Sequence, residues 1–283
     1  MSRTQECNPY LARARDIADR YFAGSPPCKL ETLYSYFGIR EVRERHLDRD
    51  AQIIASGTGF VIEVNSLVSG ARRRLSIAHE LAHLILLEID KDVRSGPRVE
   101  QLCNELAGEL LVPGKMLGCT LAEQSSIEGW REHVTCSSIF NVSRRFAVSV
   151  EVAARRVFRD LDLVENGAAV IWRQFAESGL VLRVGSAWCS PRWNAFIPRR
   201  KRAPETSVIT KAFRTEGTFV SCENLRLGSL HGKFEVHASG YMSFPLRAAM
   251  PPDRSVLSLV FNVPEPQTKL MLPYQQAFTY CEA

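Results

Sequence analysis

The stretch LSIAHELAHLILLEI, residues 75–89, sets His79, Glu80 and His83 inside a run made mostly of Leu, Ile and Ala. An α-helix turns by about 100° per residue, so His79 and His83 fall about 40° apart on one face, one turn above the other. The helix around them is apolar on nearly every side, which implies burial. Burying two imidazoles and a carboxylate without partners is costly, and a shared metal ion removes that cost. Glu80 projects about 100° further round the helix, where it can touch a water at the metal rather than serve as a ligand. The plainer alternative is a pair of core histidines satisfied by a nearby carboxylate, with no metal at all.

A catalytic zinc takes three protein ligands and keeps one position open, so the third ligand has to come from elsewhere. Glu100 is the candidate: it follows His83 by 17 residues, after the turn-forming DKDVRSGP, at the start of a helix that can pack against the first. Asn104, one turn on, shares its face and can hold a ligand in place. Glu105 and Glu109 compete for the same role from other faces of that helix. Around such a centre Glu80 acts as the base, taking a proton from water and passing it to the leaving amine, and peptide hydrolysis is the expected reaction. Tyr34, Tyr36, His46 and His133 are all candidates for the donor to the oxyanion, and the sequence does not choose among them.

The whole chain has 283 residues, 45% hydrophobic and 24% charged, enough for two or three cores. Its first residues are charged throughout, and nothing approaches the roughly 18 apolar residues of a membrane span, so a cytoplasmic protein is expected. Eight cysteines (7, 28, 103, 119, 136, 189, 222 and 281) lie without any C-x-x-C pair, as in reduced thiols rather than a zinc ribbon or disulfide framework. The net charge of +5 arises in residues 166–283, with 14 Lys and Arg against 8 Asp and Glu. That bias falls short of the basic stripe of a dedicated DNA binder.

Along the chain, PYLARARDIADRYFA (9–23) reads as an amphipathic helix and CKLETLYSYFGI as a shorter one ending at Gly38. Strand-like runs follow around 51–55 and 59–64, then a helix from Ala71 to about Glu88 and another from Pro97 to Pro113. Residues 137–159 read as two short helices broken near AVS, with Ser149 capping the second. From 166 on the texture is β-like: AVIW, LVLRVGSAW, TSVITKAF, TFVSCENLRL, KFEVHASGYMSF and SVLSLVFNV, with a Pro-spaced tail after Val263. The expected division is therefore 1–125, a helical 126–165 and a β-rich 166–283.

The runs RRLSIAHELAHLIL and EQLCNELAGELLVP, with the preceding GFVIEVNS strand and the following FAVSVEVAARRV helices, resemble the ImmA/IrrE metallopeptidases of bacteria over about residues 5–160. The resemblance implies an α+β chain: a zincin-like metallopeptidase domain, a helix-turn-helix-like middle and a GAF-like regulatory or sensor domain. It implies His79, His83 and Glu100 as metal ligands, Glu80 as the base, and zinc as the ion, with manganese able to use the same groups. It also implies a protein substrate, a helix-turn-helix repressor whose cleavage releases stress or mobile-element genes. The chain departs from the family pattern at Leu75, Ala82, Leu87 and Cys103, none of them a ligand.

Two further classes compete. A DNA-binding regulator with a structural metal site would place Arg144, Arg145, Arg155 and Arg156 on phosphates; a non-cleaving sensor or scaffold would only sequester a repressor. The basic PRRKR at 198–202 reads as a solvated loop before it reads as a phosphate site. Cys222, His231 and His237 match no ligand spacing and stay unassigned.

Overall fold

The computed structural model describes residues 8–22, 24, 26–68, 70–94, 96–124, 134–161, 163–175, 181–193, 196–228, 230–243 and 253–262. His133, Cys7, Cys281, the tail after Val263 and the side chain of His231 lie outside the described residues. The fold is mixed α+β in two compact units. One takes the described residues up to Leu117 together with Val142–Val152; the other takes those of Gly118–Asn141 and Ala153–Ser243 and those from Asp253 onward. Among the described residues no helix is long and apolar enough to cross a membrane.

In the first unit α1 (Pro9–Tyr21) starts at Asn8, whose side chain accepts from the amides of Tyr10 and Leu11, and Pro9 fits the first turn because its missing N–H would have had no partner there. A 3-10 turn (Leu30–Leu33) leads into α2 (Tyr34–Phe37), which ends at Gly38 in the left-handed region, φ +67°. Three strands follow: β1 (Ile39–Arg45), β2 (Ala51–Ser56) and β3 (Gly59–Asn65), in the order β1-β3-β2, with β1 parallel and β2 antiparallel to β3. The sheet therefore has one strand more than the sequence pattern suggested. IREVRER does not alternate, its only apolar residues Ile39 and Val42 being three apart; its exposed positions are all charged, and the half-buried Arg43 is paired with Glu63 on β3 at 2.7 Å. Gly59 admits no side chain, since a Cβ would sit 2.5 Å from the Gly38 carbonyl oxygen.

The next helix, α3 (Gly70–Ile89), buries Ile77, Ala78, Leu81, Ala82, Leu84, Ile85 and Leu86, so it is central rather than amphipathic. Against it packs α4 (Pro97–Leu111), through Cys103, Leu106, Ala107, Leu110 and Leu111. Leu81, Ile85, Leu106 and Leu110 are fully buried, and at about 1.5–3 kcal/mol each they anchor the helix pair that carries the polar cluster. Glu109 is buried too, but its carboxylate accepts from the Gly114 amide at 2.9 Å, capping α5 (Gly114–Gln124).

After α6 (Cys136–Arg145), Ser149 caps α7 (Val150–Arg155) by accepting from the Val152 amide at 3.3 Å, and a π turn closes at Asp160. The second unit is an antiparallel sheet in the order β5-β4-β8-β7-β6, built from β4 (Gly167–Gln174), β5 (Leu182–Cys189), β6 (Thr218–Leu227), β7 (Leu230–Ser243) and β8 (Asp253–Asn262). One face buries Val170, Trp172, Val184, Phe234, Val236 and Val256 against Trp193, Ile197 and α8 (Val208–Thr215). TSVITKAF is thus a helix and not the strand its β-branched residues suggested. Ser207 caps it, and Val208, Ile209, Ala212 and Phe213 recur at helical spacing toward the sheet.

Candidate metal centre

The register of α3 brings His79 and His83 together with ring centroids 5.0 Å apart and planes at 76°. The first turn of α4 aims Glu100 between them: Oε2 lies 3.1 Å from His79 Nε2 and Oε1 3.7 Å from His83 Nε2. Donors held at about 2.1 Å round a tetrahedral ion are about 3.4 Å from one another, so Glu100 stands from each imidazole nitrogen at about the separation that ligands of one divalent cation would have. The donor chemistry fits as well, two neutral nitrogens and one carboxylate being a common zinc set. Glu105 is bonded by Gln101 at 3.1 Å and Glu109 caps α5, so of the three acids considered on α4 only Glu100 meets the histidines. Asn104 donates to the Glu100 backbone carbonyl at 2.8 Å, steadying the turn from which the carboxylate projects.

These groups open onto a cleft of about 990 Å3, lined also by Ala51, Gln52 and Ile53 of β2 and by Leu87, Val93 and Val99. Glu80 reaches the cleft from a buried position, 9% exposed. Burial raises its carboxyl above the ordinary range; His79 opposes this, Glu100 reinforces it, and the Ile53 backbone amide and Arg49 oppose it again. His83 moves the other way: burial and the neighbouring His79 lower it, against the pull of Glu100, so the ring favours the neutral form that can donate a lone pair.

Cys103 is the residue that sequence reasoning missed. It is fully buried, and its Sγ lies 3.4 Å from His83 Nδ1, on the opposite edge of the ring from Glu100. Among the described residues it completes the one cluster of three close metal-ligating side chains, with His79 and His83. Burial, with Glu100 and Glu80 nearby, pushes its thiol up to about 12. The signal available in the sequence was its spacing, three residues after Glu100 and hence on the same helix face.

The other candidates lie elsewhere. Tyr36 donates to Glu88 at 2.9 Å, Tyr34 is half-buried near Glu31, His46 is exposed, and none of them lines the cleft. Arg155 and Arg156 both turn onto Asp160, at 3.2 and 3.6 Å, while Arg144 is exposed. In the basic loop Arg200 is tied to β5 through its amide on the Val184 carbonyl at 2.8 Å, and Arg202 pairs with Glu205 at 2.5 Å. His237 pairs with Glu235 at 2.6 Å, and Cys222 is exposed.

Known proteins resemble the part of the chain that holds this cleft. The profile of the IrrE N-terminal-like domain, a peptidase family, matches residues 30–158, which hold every group just described at the centre. The radiation response metalloprotease IrrE of Deinococcus deserti is 31% identical over 180 residues, 56% of this chain and 62% of that protein. Both matches support an ImmA/IrrE family protein. The chain spans less than two thirds of the length of the curated relative it matches. A Mycobacterium tuberculosis transcriptional regulator shares its fold, with a TM-score of 0.58 at 16% identity over 90% of this chain and 76% of that one.

Proposed function

We propose that this chain is a metal-dependent endopeptidase that works at His79, Glu80, His83 and Glu100. The observation that carries the proposal is the convergence of two imidazole nitrogens and one carboxylate from neighbouring helices beside a buried glutamate, all opening on one cleft. His79, His83 and Glu100 would hold the ion, with zinc the natural occupant and manganese able to use the same donors. When bound, such an ion supplies Lewis acidity to water and to the scissile carbonyl. Glu80 takes the proton of the attacking water and returns it to the leaving amine; its raised affinity for a proton brings it closer to the range in which one group can do both. The outer edge of β2 borders the cleft and offers backbone groups along which an extended substrate can lie.

The family resemblance favours a folded regulator as substrate, a helix-turn-helix repressor in the cytosol whose cleavage releases stress genes. The relative's description as a radiation response metalloprotease supports that setting. Within the division 1–125, 126–165 and 166–283, the zincin-like domain would cut, the helical segment would meet the substrate, and the GAF-like sheet domain would regulate. The test is incubation of the chain with the repressor encoded nearest to it, with zinc or manganese, with chelator, and with Glu80→Gln. The expected result is one discrete cut that chelator and the variant both abolish. A repressor left whole by the metal-loaded wild type, with DNA binding of steep salt dependence in its place, would favour a regulator instead.

A further inference from the structure

His83 is gripped by one helix at both ring nitrogens. Glu100 faces Nε2 at 3.7 Å and Cys103, three residues later on α4, faces Nδ1 at 3.4 Å. A neutral imidazole carries a single proton, and the nitrogen that carries it cannot bind a cation. If the Cys103 S–H donated to Nδ1, the ring proton would sit on Nε2 and block the side that faces Glu100. If Nδ1–H donates to sulfur, Nε2 keeps its lone pair toward Glu100 and His79. The second arrangement is the one that lets the two histidines share an ion, and the fully buried sulfur is the acceptor placed to select it.

We infer that Cys103 is a positioning residue: its sulfur accepts the His83 Nδ1 proton and so holds the ring in the form that binds a cation through Nε2. The inference rests on the metal-centre reading above, but it concerns affinity and not cleavage. Sulfur is a weak acceptor, so the bond fixes the tautomer and ring angle without making the imidazole markedly more basic.

The experiment measures zinc affinity of the full chain by chelator competition for wild type, Cys103→Val, Cys103→Ala and Cys103→Ser. Val keeps the volume without an acceptor, Ala is the alternative should Val pack poorly, and Ser restores an acceptor. Loss of an outer partner of a metal-binding histidine typically weakens affinity by about 10–100-fold, so Val and Ala should fall in that range while Ser stays within a few-fold of wild type. Long-range nitrogen–proton spectra of the zinc form should place the His83 proton on Nδ1. Equal zinc affinity in wild type and in a Val or Ala variant that melts like wild type would overturn the inference. So would a thiolate-to-cobalt charge-transfer band in the cobalt form that disappears in Cys103→Ser, because the sulfur would then be a ligand. If the affinities rank as expected but no substrate is cut, the peptidase reading fails and this one stands.

Discussion

Replacing Glu80 by Gln separates what the buried carboxyl does for the reaction from what it does for the fold. The two side chains match in shape, and the amide oxygen of Gln can still accept from the Ile53 backbone that Glu80 uses. What disappears is the ability to take a proton. A positioned general base contributes about 10²–10⁴-fold in rate, which is about 2.7–5.4 kcal/mol of barrier, so single-turnover cleavage followed on a gel should slow by at least two orders of magnitude. Zinc affinity should change little, since the facing donors His79, His83 and Glu100 are untouched. Metal-free stability provides an internal control. Burial raises the Glu80 pKa above its ordinary 4.5, so its contribution is present below that value and is lost as pH rises through the higher folded value. At neutral pH the metal-free variant should therefore melt at the same temperature as wild type or higher, with the advantage gone below pH 4.5. Cleavage by Glu80→Gln within tenfold of wild type, at unchanged zinc occupancy, would refute the assignment of the base.

The remaining predictions concern the framework. Gln52 and Arg43 hold the Glu63 carboxyl below its ordinary 4.5 by hydrogen bonds, so its contribution is present above 4.5 and is lost as pH falls through the lower folded value. Acid melts of Glu63→Gln should accordingly decline less than wild type below that pH, and parallel curves would contradict the prediction. Ser207 caps α8 and donates to Glu223 at 2.5 Å; Ser207→Ala should cost about 0.5–2 kcal/mol in urea unfolding of the second unit, and no change in midpoint would show that the cap contributes nothing.

How much of this was legible beforehand varied with the physics of each element. Two histidines one turn apart in an apolar helix pointed to a polar pair in need of partners, and Pro97, Pro113 and the DKDVRSGP turn marked where the partner helix begins and ends. Glu100 could be favoured on spacing, yet only the packing of α4 on α3 decides which acid of that helix meets the imidazoles. β1 stayed hidden because its outward charges mimic a loop, and the compensation for them, Glu63, comes from another strand. Strand propensity misled at TSVITKAF, where Val, Ile and Thr suggest extension but the Ser207 cap and the sheet beneath favour a helix. Cys103 shared a helix face with Glu100, three residues on, but its role rests on a contact with a ring edge 20 residues away, which spacing alone does not reveal.

The most direct test of the central claim is anomalous diffraction with X-ray absorption on zinc-loaded protein. The account predicts one ion bound by nitrogen from His79 and His83 and oxygen from Glu100 at about 2.0–2.2 Å, with a further position open to the cleft. An ion held elsewhere, or one at these histidines with the Glu100 carboxylate turned away, would contradict it.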